Sequence, residues 1–76
     1  MEHREEKRDR FVRLSEARTA RAMQSIRIIG NLSNRNNYDF TSEDARKIAK
    51  TLHAEVDAME ARFRAAESKS RPAFKL

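Results

Sequence analysis

Apolar residues in the second half of the chain recur at alternating spacings of four and three positions. An apolar residue about every 3.5 positions is the pattern of an α-helix that packs on another helix along one seam. The run Thr41-Ser42-Glu43-Asp44 stands before it, with a hydroxyl to cap the helix and acids to complement its dipole. The pattern predicts a helix over about residues 42–68. The seam residues are Ala45, Ala49, Leu52, Val56, Met59, Phe63 and Ala66.

A weaker seam of the same kind precedes it and predicts a first helix over about residues 4–29. The chain contains one Gly, Gly30, and one Pro, Pro72. We expect Gly30 to end the first helix in the left-handed C′ conformation. An irregular loop is then expected over about residues 30–40. The first seam consists of Val12, Ser15, Thr19, Ala22, Ile26 and Ile29.

The two seams fit each other when the helices run antiparallel. Facing residues then have numbers that sum to about 74 or 75, so that Ala45 faces Ile29 and Leu52 faces Ala22. Large residues meet small ones at most layers, as interdigitated packing requires. The expected fold is all-α, an antiparallel two-helix hairpin over residues 1–68 with a basic flexible tail over 69–76. In the tail, Phe74 and Leu76 leave open a short docking peptide as the alternative.

A chain of 76 residues buries only about 60% of its unfolded surface, so a hairpin alone is marginal. The chain has no Cys, which excludes disulfides and favours oligomerisation as the stabiliser. We therefore expect a homodimeric four-helix bundle, with a hairpin completed by a different protein as the alternative. The surface left for partners is an apolar flank outside the seam, together with Tyr38 of the loop. This apolar flank consists of Phe11, Leu14, Met23, Ile28 and Ile48.

The charge is uneven along the first helix. Lys and Arg total 17 against 12 acids, for a net charge of +5. At 100° per residue, four cations of the first helix fall within an arc of about 80°. Such a stripe suits a phosphate backbone or an acidic protein groove, and the alternative is a solvated helix with local ion pairs. This basic stripe consists of Lys7, Arg10, Arg18 and Arg21.

The loop is rich in Asn, a residue that caps its own backbone in turns. About eleven residues is long for a connection between antiparallel helices. It is therefore either a structural cap, with Leu32, Tyr38 and Phe40 folded over the bundle end, or a binding loop. Arg35 is its candidate nucleic-acid-binding residue.

The run Gly30-Asn31-Leu32-Ser33-Asn34-Arg35, followed by Tyr38, resembles a signature of short uncharacterised bacterial and mobile-element proteins. The resemblance extends over about residues 8–64 and includes the runs Arg10-Phe11-Val12-Arg13-Leu14, Arg18-Thr19 and Arg62-Phe63. It implies a bacterial or mobile-element source. No known activity is attached to the family, so the resemblance assigns no site residues.

Catalytic chemistry is not expected. The sequence has no glycine-rich phosphate loop and no Ser–His–Asp arrangement that can be placed on a cleft. His53 and Asp57 share one helical face, with Glu60 near them, but a metal site would need a third strong ligand and a second shell, so we expect no metal and no cofactor. No apolar run reaches the roughly 20 residues of a membrane span, and a cytoplasmic location is expected.

The sequence therefore predicts a small non-catalytic regulatory protein that binds the backbone of nucleic acid, RNA ahead of DNA. The alternative is a protein–protein interaction module, such as an inhibitor or adaptor from a mobile element, that uses the apolar flank and the Asn-rich loop. A third hypothesis is a coiled-coil dimerisation unit with no ligand.

Overall fold

A computed structural model of the chain describes the backbone of residues 2–70 and the side chains of residues 6–68. Helix α1 extends over Glu2–Gly30, a short 3₁₀ helix follows at Asn31–Ser33, and helix α2 extends over Ser42–Ser70. The prediction of an all-α chain with two helices is confirmed. Helix α2 continues past its predicted end near residue 68, and residues 71–76 of the predicted tail lie outside the described residues.

Helix α2 begins with a reciprocal capping box. The Asp44 N–H donates to Thr41 Oγ1 at 3.0 Å, and the Thr41 N–H donates to Asp44 Oδ2 at 3.0 Å. The first helical bond follows from the Ala45 N–H to the Thr41 carbonyl at 3.2 Å. Two backbone donors at the helix start thus gain partners from side chains three residues apart. The hydroxyl cap predicted from the sequence is therefore Thr41.

The end of α1 differs from the prediction. Gly30 has φ −61° and ψ −27°, which is right-handed helical backbone, and not the left-handed C′ conformation. The physical reason is that the chain continues directly into the 3₁₀ helix Asn31–Ser33, so it does not reverse its handedness at Gly30. Gly30 therefore gives α1 no special conformation, only the flexibility of a residue without a side chain.

The hydroxyl of Ser15 in the α1 seam is satisfied within its own helix. Ser15 Oγ donates to the Val12 carbonyl at 3.1 Å in a partly buried position. A hydroxyl that bonds back to the preceding turn costs an apolar stripe little, because it brings no unpaired donor into the interface. Ser15 is therefore compatible with a helix-packing seam.

None of the residues whose side chains are described is buried. The chain divides into two units, residues 1–39 and 40–76, and each is described by itself. The packing of α1 on α2 as a hairpin, and of two hairpins as a bundle, is not shown and stays a prediction. The half-buried residues are Val12, Leu14, Ser15, Ile29, Phe40 and Leu52.

Replacement of the capping hydroxyl tests how α2 is held at its start. We expect Thr41→Ala to lower the free energy of unfolding by about 1 kcal/mol, because the Asp44 N–H loses its acceptor. Urea unfolding followed by circular dichroism measures the change. The matched control is Thr51→Ala. It removes a hydroxyl that donates to the Lys47 carbonyl inside the same helix and leaves the cap at Thr41 intact. Equal losses in the two variants would contradict the capping role.

The right-handed helical conformation of Gly30 leads to a second prediction. A Cβ added there meets no atom within 4 Å, and the backbone is already helical. We expect Gly30→Ala to raise the free energy of unfolding by about 0.5–1 kcal/mol, since Ala loses less entropy in a helix. Gly30→Asn is the control. If Gly30 were left-handed, the Asn variant would be more stable than the Ala variant. Urea unfolding of both variants therefore distinguishes the right-handed from the left-handed conformation.

Candidate binding surfaces

The basic stripe lies along the exposed surface of α1. All four of its side chains, those of Lys7, Arg10, Arg18 and Arg21, are exposed. At 1.5 Å per residue the stripe is about 21 Å long. It consists of two cation pairs, with the half-buried Leu14 between them. A line of exposed cations of this length and width can contact several successive phosphates of one strand.

Arg35 lies apart from the stripe, in the turn at residues 35–37 that follows the 3₁₀ helix. Its side chain is exposed, but it already interacts with another group of the chain. No helical partner for Arg35 is apparent from the residue spacing, and the interaction is seen only in the structure. As a phosphate ligand, Arg35 would therefore have to exchange that interaction for the new one.

A further cation, Arg8, contacts Phe11 of the apolar flank. The Arg8 guanidinium stands over the Phe11 ring, 5.7 Å from its centroid. Residues three apart are neighbours on a helix surface, so the spacing of Arg8 and Phe11 was the available signal. An exposed cation–π contact of this kind contributes about 0.5–1 kcal/mol. It shows that an Arg side chain can pack on the apolar flank and keep its charged end in water.

The apolar side chains of both helices keep about half of their surface exposed. On the apolar flank the exposed fractions are 47% for Phe11, 47% for Met23, 54% for Ile28 and 42% for Ile48, and Leu14 is half-buried. The seam residues of α2 are similar, since Val56, Met59 and Phe63 are exposed by 46–50%. Extended helices that expose this much apolar surface indicate that the protein binds a partner.

The loop is organised by one Asn. Asn34 Oδ1 accepts the Asn36 N–H at 3.0 Å, and the Asn34 carbonyl accepts the Asn37 and Tyr38 N–H groups at 3.1 and 3.0 Å. The prediction that loop Asn residues cap their own backbone is confirmed at Asn34. Leu32 and Tyr38 are exposed by 47% and 49%, so their role as plugs over a bundle end stays a prediction.

The described part of the chain contains no group of three or more His, Cys, Asp or Glu residues that could hold a metal ion. His53, Asp57 and Glu60 of α2 are all exposed. Neither helix, over the residues described, has an apolar stretch long enough to cross a bilayer.

No protein-family model, curated protein or solved structure matches this chain. The resemblance of the segment from Gly30 to Tyr38 to the bacterial and mobile-element signature therefore stays a prediction. Any function has to be argued from the exposed cations, the apolar flank and the loop described above.

Loss of the Asn34 side chain tests whether the loop is a built turn. We expect Asn34→Ala to lower the free energy of unfolding by about 0.5 kcal/mol, because the Asn36 N–H loses its acceptor. The exchange rate of that amide proton, measured by nuclear magnetic resonance, should rise as well. Asn36→Ala is the control, since it keeps the backbone donor. An unchanged exchange rate of the residue-36 amide in Asn34→Ala would contradict the turn.

Proposed function

We propose that this protein is a non-catalytic regulatory protein that binds the phosphate backbone of nucleic acid through the basic stripe of α1. The observation that carries the proposal is the exposure of all four stripe cations along one arc of a single helix, in a chain of net charge +5. Arg35 is proposed as an additional contact from the loop.

The composition supports contacts to the backbone more than to the bases. Phosphates are bound by Arg in a planar fork, and 12 of the 17 basic residues are Arg. Aromatic residues make up only 7% of the chain, which is little for a surface that stacks unpaired bases. The proposed ligands are therefore duplex DNA and structured RNA, contacted along the strand.

The scaffold that we propose is an antiparallel hairpin of α1 and α2 that dimerises into a four-helix bundle. The size complementarity of the two seams supports the hairpin, with small residues of one helix opposite large ones of the other. The exposure of Val56, Met59 and Phe63 supports it as well, since these side chains gain free energy when another helix covers them.

Binding to labelled duplex DNA and hairpin RNA, measured by fluorescence anisotropy over a salt series, tests the proposed function. For DNA we expect a log–log slope of about −3.6 or steeper, since each of four phosphate contacts contributes about −0.9. Arg10→Glu with Arg21→Glu should weaken binding at least tenfold and leave helicity by circular dichroism unchanged. The comparison of the two probes at one salt concentration ranks RNA against DNA.

The matched control for this variant lies on the same helix. Arg13 and Arg27 are exposed and lie about 100° and 140° round the helix from the centre of the stripe, on the side of α1 that carries Asp9 and Glu16. Arg13→Glu with Arg27→Glu therefore makes the same change in net charge without touching the stripe. Equal loss of affinity in the two double variants would show that only the total charge matters. No binding by the wild-type protein, even at low salt, would refute the proposed function.

The second candidate is a protein–protein interaction module, an inhibitor or adaptor that uses the apolar flank and Tyr38. The exposed fractions of 42–54% at Phe11, Met23, Ile28, Ile48 and Tyr38 favour it. An apolar protein complex survives high salt, whereas backbone binding to nucleic acid does not. Purification at low and high salt separates the two functions, because co-purified nucleic acid raises the 260/280 absorbance ratio only at low salt.

A further inference from the structure

The seam of α2 is an apolar surface that lies within a single helix. Its residues recur at heptad spacing from Ala45 to Ala66, and at 1.5 Å per residue they extend over about 32 Å. Val56, Met59 and Phe63 keep about half of their surface exposed. Such a stripe gains free energy when a second helix covers it. The charges that border the stripe decide which helix fits.

One side of the α2 seam carries two opposite charges, Glu55 and Arg62, seven positions apart. Both side chains are exposed. The residues three and four positions away from each of them are uncharged, so α2 itself offers neither an ion pair at helical spacing. Charged residues beside a heptad seam form pairs across the interface and set the partner and its orientation. Glu55 and Arg62 are therefore placed to pair with a second helix.

A second copy of α2 in antiparallel orientation provides the opposite charges. In the register where facing residues have numbers that sum to about 115, Glu55 of each copy lies opposite Arg62 of the other. The two-fold symmetry of such a dimer makes this contact occur twice. The apolar layers of the same register are Leu52 on Phe63, Val56 on Met59 and Ala49 on Ala66, each of them also occurring twice.

The other ways of pairing two α2 helices bring like charges together. A parallel pair places Glu55 beside Glu60 of the second copy, and an antiparallel pair shifted by one heptad places Glu55 against Glu55 of the second copy. Like charges at facing positions oppose association. In the register of about 115, the other side of the seam also joins complementary groups, His53 with Glu60 and Arg46 with Glu67. Charge complementarity thus selects one orientation and one register.

We infer that α2 packs antiparallel on α2 of a second copy, with Glu55 of each chain opposite Arg62 of the other. The inference goes beyond the proposed function, because it assigns the contact between two chains to α2 and does not depend on nucleic-acid binding. In the proposed bundle each helix has a neighbour on either side of its seam. The side with Glu55 and Arg62 faces the copy, and the other side remains for α1 of the same chain.

Two complementary charge reversals test the inference by sedimentation equilibrium of the full chain, without nucleic acid, over a concentration series. The wild-type protein should sediment at twice its chain mass of 8.9 kDa. Arg62→Glu alone brings carboxylates face to face at two places in the dimer, and Glu55→Arg alone does the same with cations. Each should raise the dissociation constant of the dimer about tenfold or more.

Restoration of the opposite charges should restore the dimer. An equimolar mixture of the two single variants forms a heterodimer in which both contacts again join opposite charges. The double variant Glu55→Arg with Arg62→Glu forms them within a homodimer. Both should have a dissociation constant within about threefold of the wild-type value. The double variant keeps the test decisive if one single variant fails to fold, which circular dichroism detects.

Lys50→Glu is the matched control. It makes the same change in net charge as Arg62→Glu, at an exposed position about 160° round the helix from Leu52. It should leave the dissociation constant within about twofold of the wild-type value. An equal loss in Lys50→Glu and Arg62→Glu would show that only net charge matters and would overturn the pairing.

Other results also overturn the inference. They are a wild-type monomer, an unchanged dissociation constant in Arg62→Glu, or no restoration in either the mixture or the double variant. Tighter association of Glu55→Arg than of the wild type would indicate a parallel pair instead. Since nucleic acid is absent, none of these results affects the proposed function of the basic stripe, which Arg10→Glu with Arg21→Glu tests separately.

Discussion

The burial of apolar side chains is the constraint on which the other features of this protein depend. None of the side chains described is buried, and large apolar residues of both helices keep about half of their surface in water. The free energy of burial, about 25 cal/mol for each Å² of apolar surface, is the main favourable contribution to folding. The apolar side chains that remain about half exposed obtain only part of that contribution. The apolar surface that stays exposed therefore indicates that the helices bind a packing partner.

Helix α1 combines the two properties on which the proposed function depends. Its exposed cations form an arc, and two residues of the apolar flank, Leu14 and Ile28, lie inside that arc. The same side of the helix can therefore contact a phosphate backbone and pack on another helix.

The ends of the helices are held by short-range hydrogen bonds. Thr41 and Asp44 cap each other's backbone at 3.0 Å at the start of α2, and Asn34 accepts three N–H groups in the loop through its side chain and carbonyl. These bonds join residues at most four apart, so they do not depend on the packing of one helix against another. They define where the helical segments begin and end before any packing partner is present.

The sequence by itself determined the two helices, a hydroxyl cap within Thr41–Ser42 and the turn chemistry of the Asn-rich loop, and the structure identified Thr41 as the cap. All three depend on interactions between residues at most four apart, and the spacing of residue types records such interactions directly. The conformation of Gly30 was predicted wrongly, because a Gly after a helix is compatible with both a left-handed cap and a 3₁₀ continuation. Only the tertiary structure showed the 3₁₀ helix at Asn31–Ser33, the Arg8–Phe11 contact and the exposed fraction of each apolar side chain. Exposure depends on which surfaces lie against each other in space, and residue spacing along one helix does not specify that.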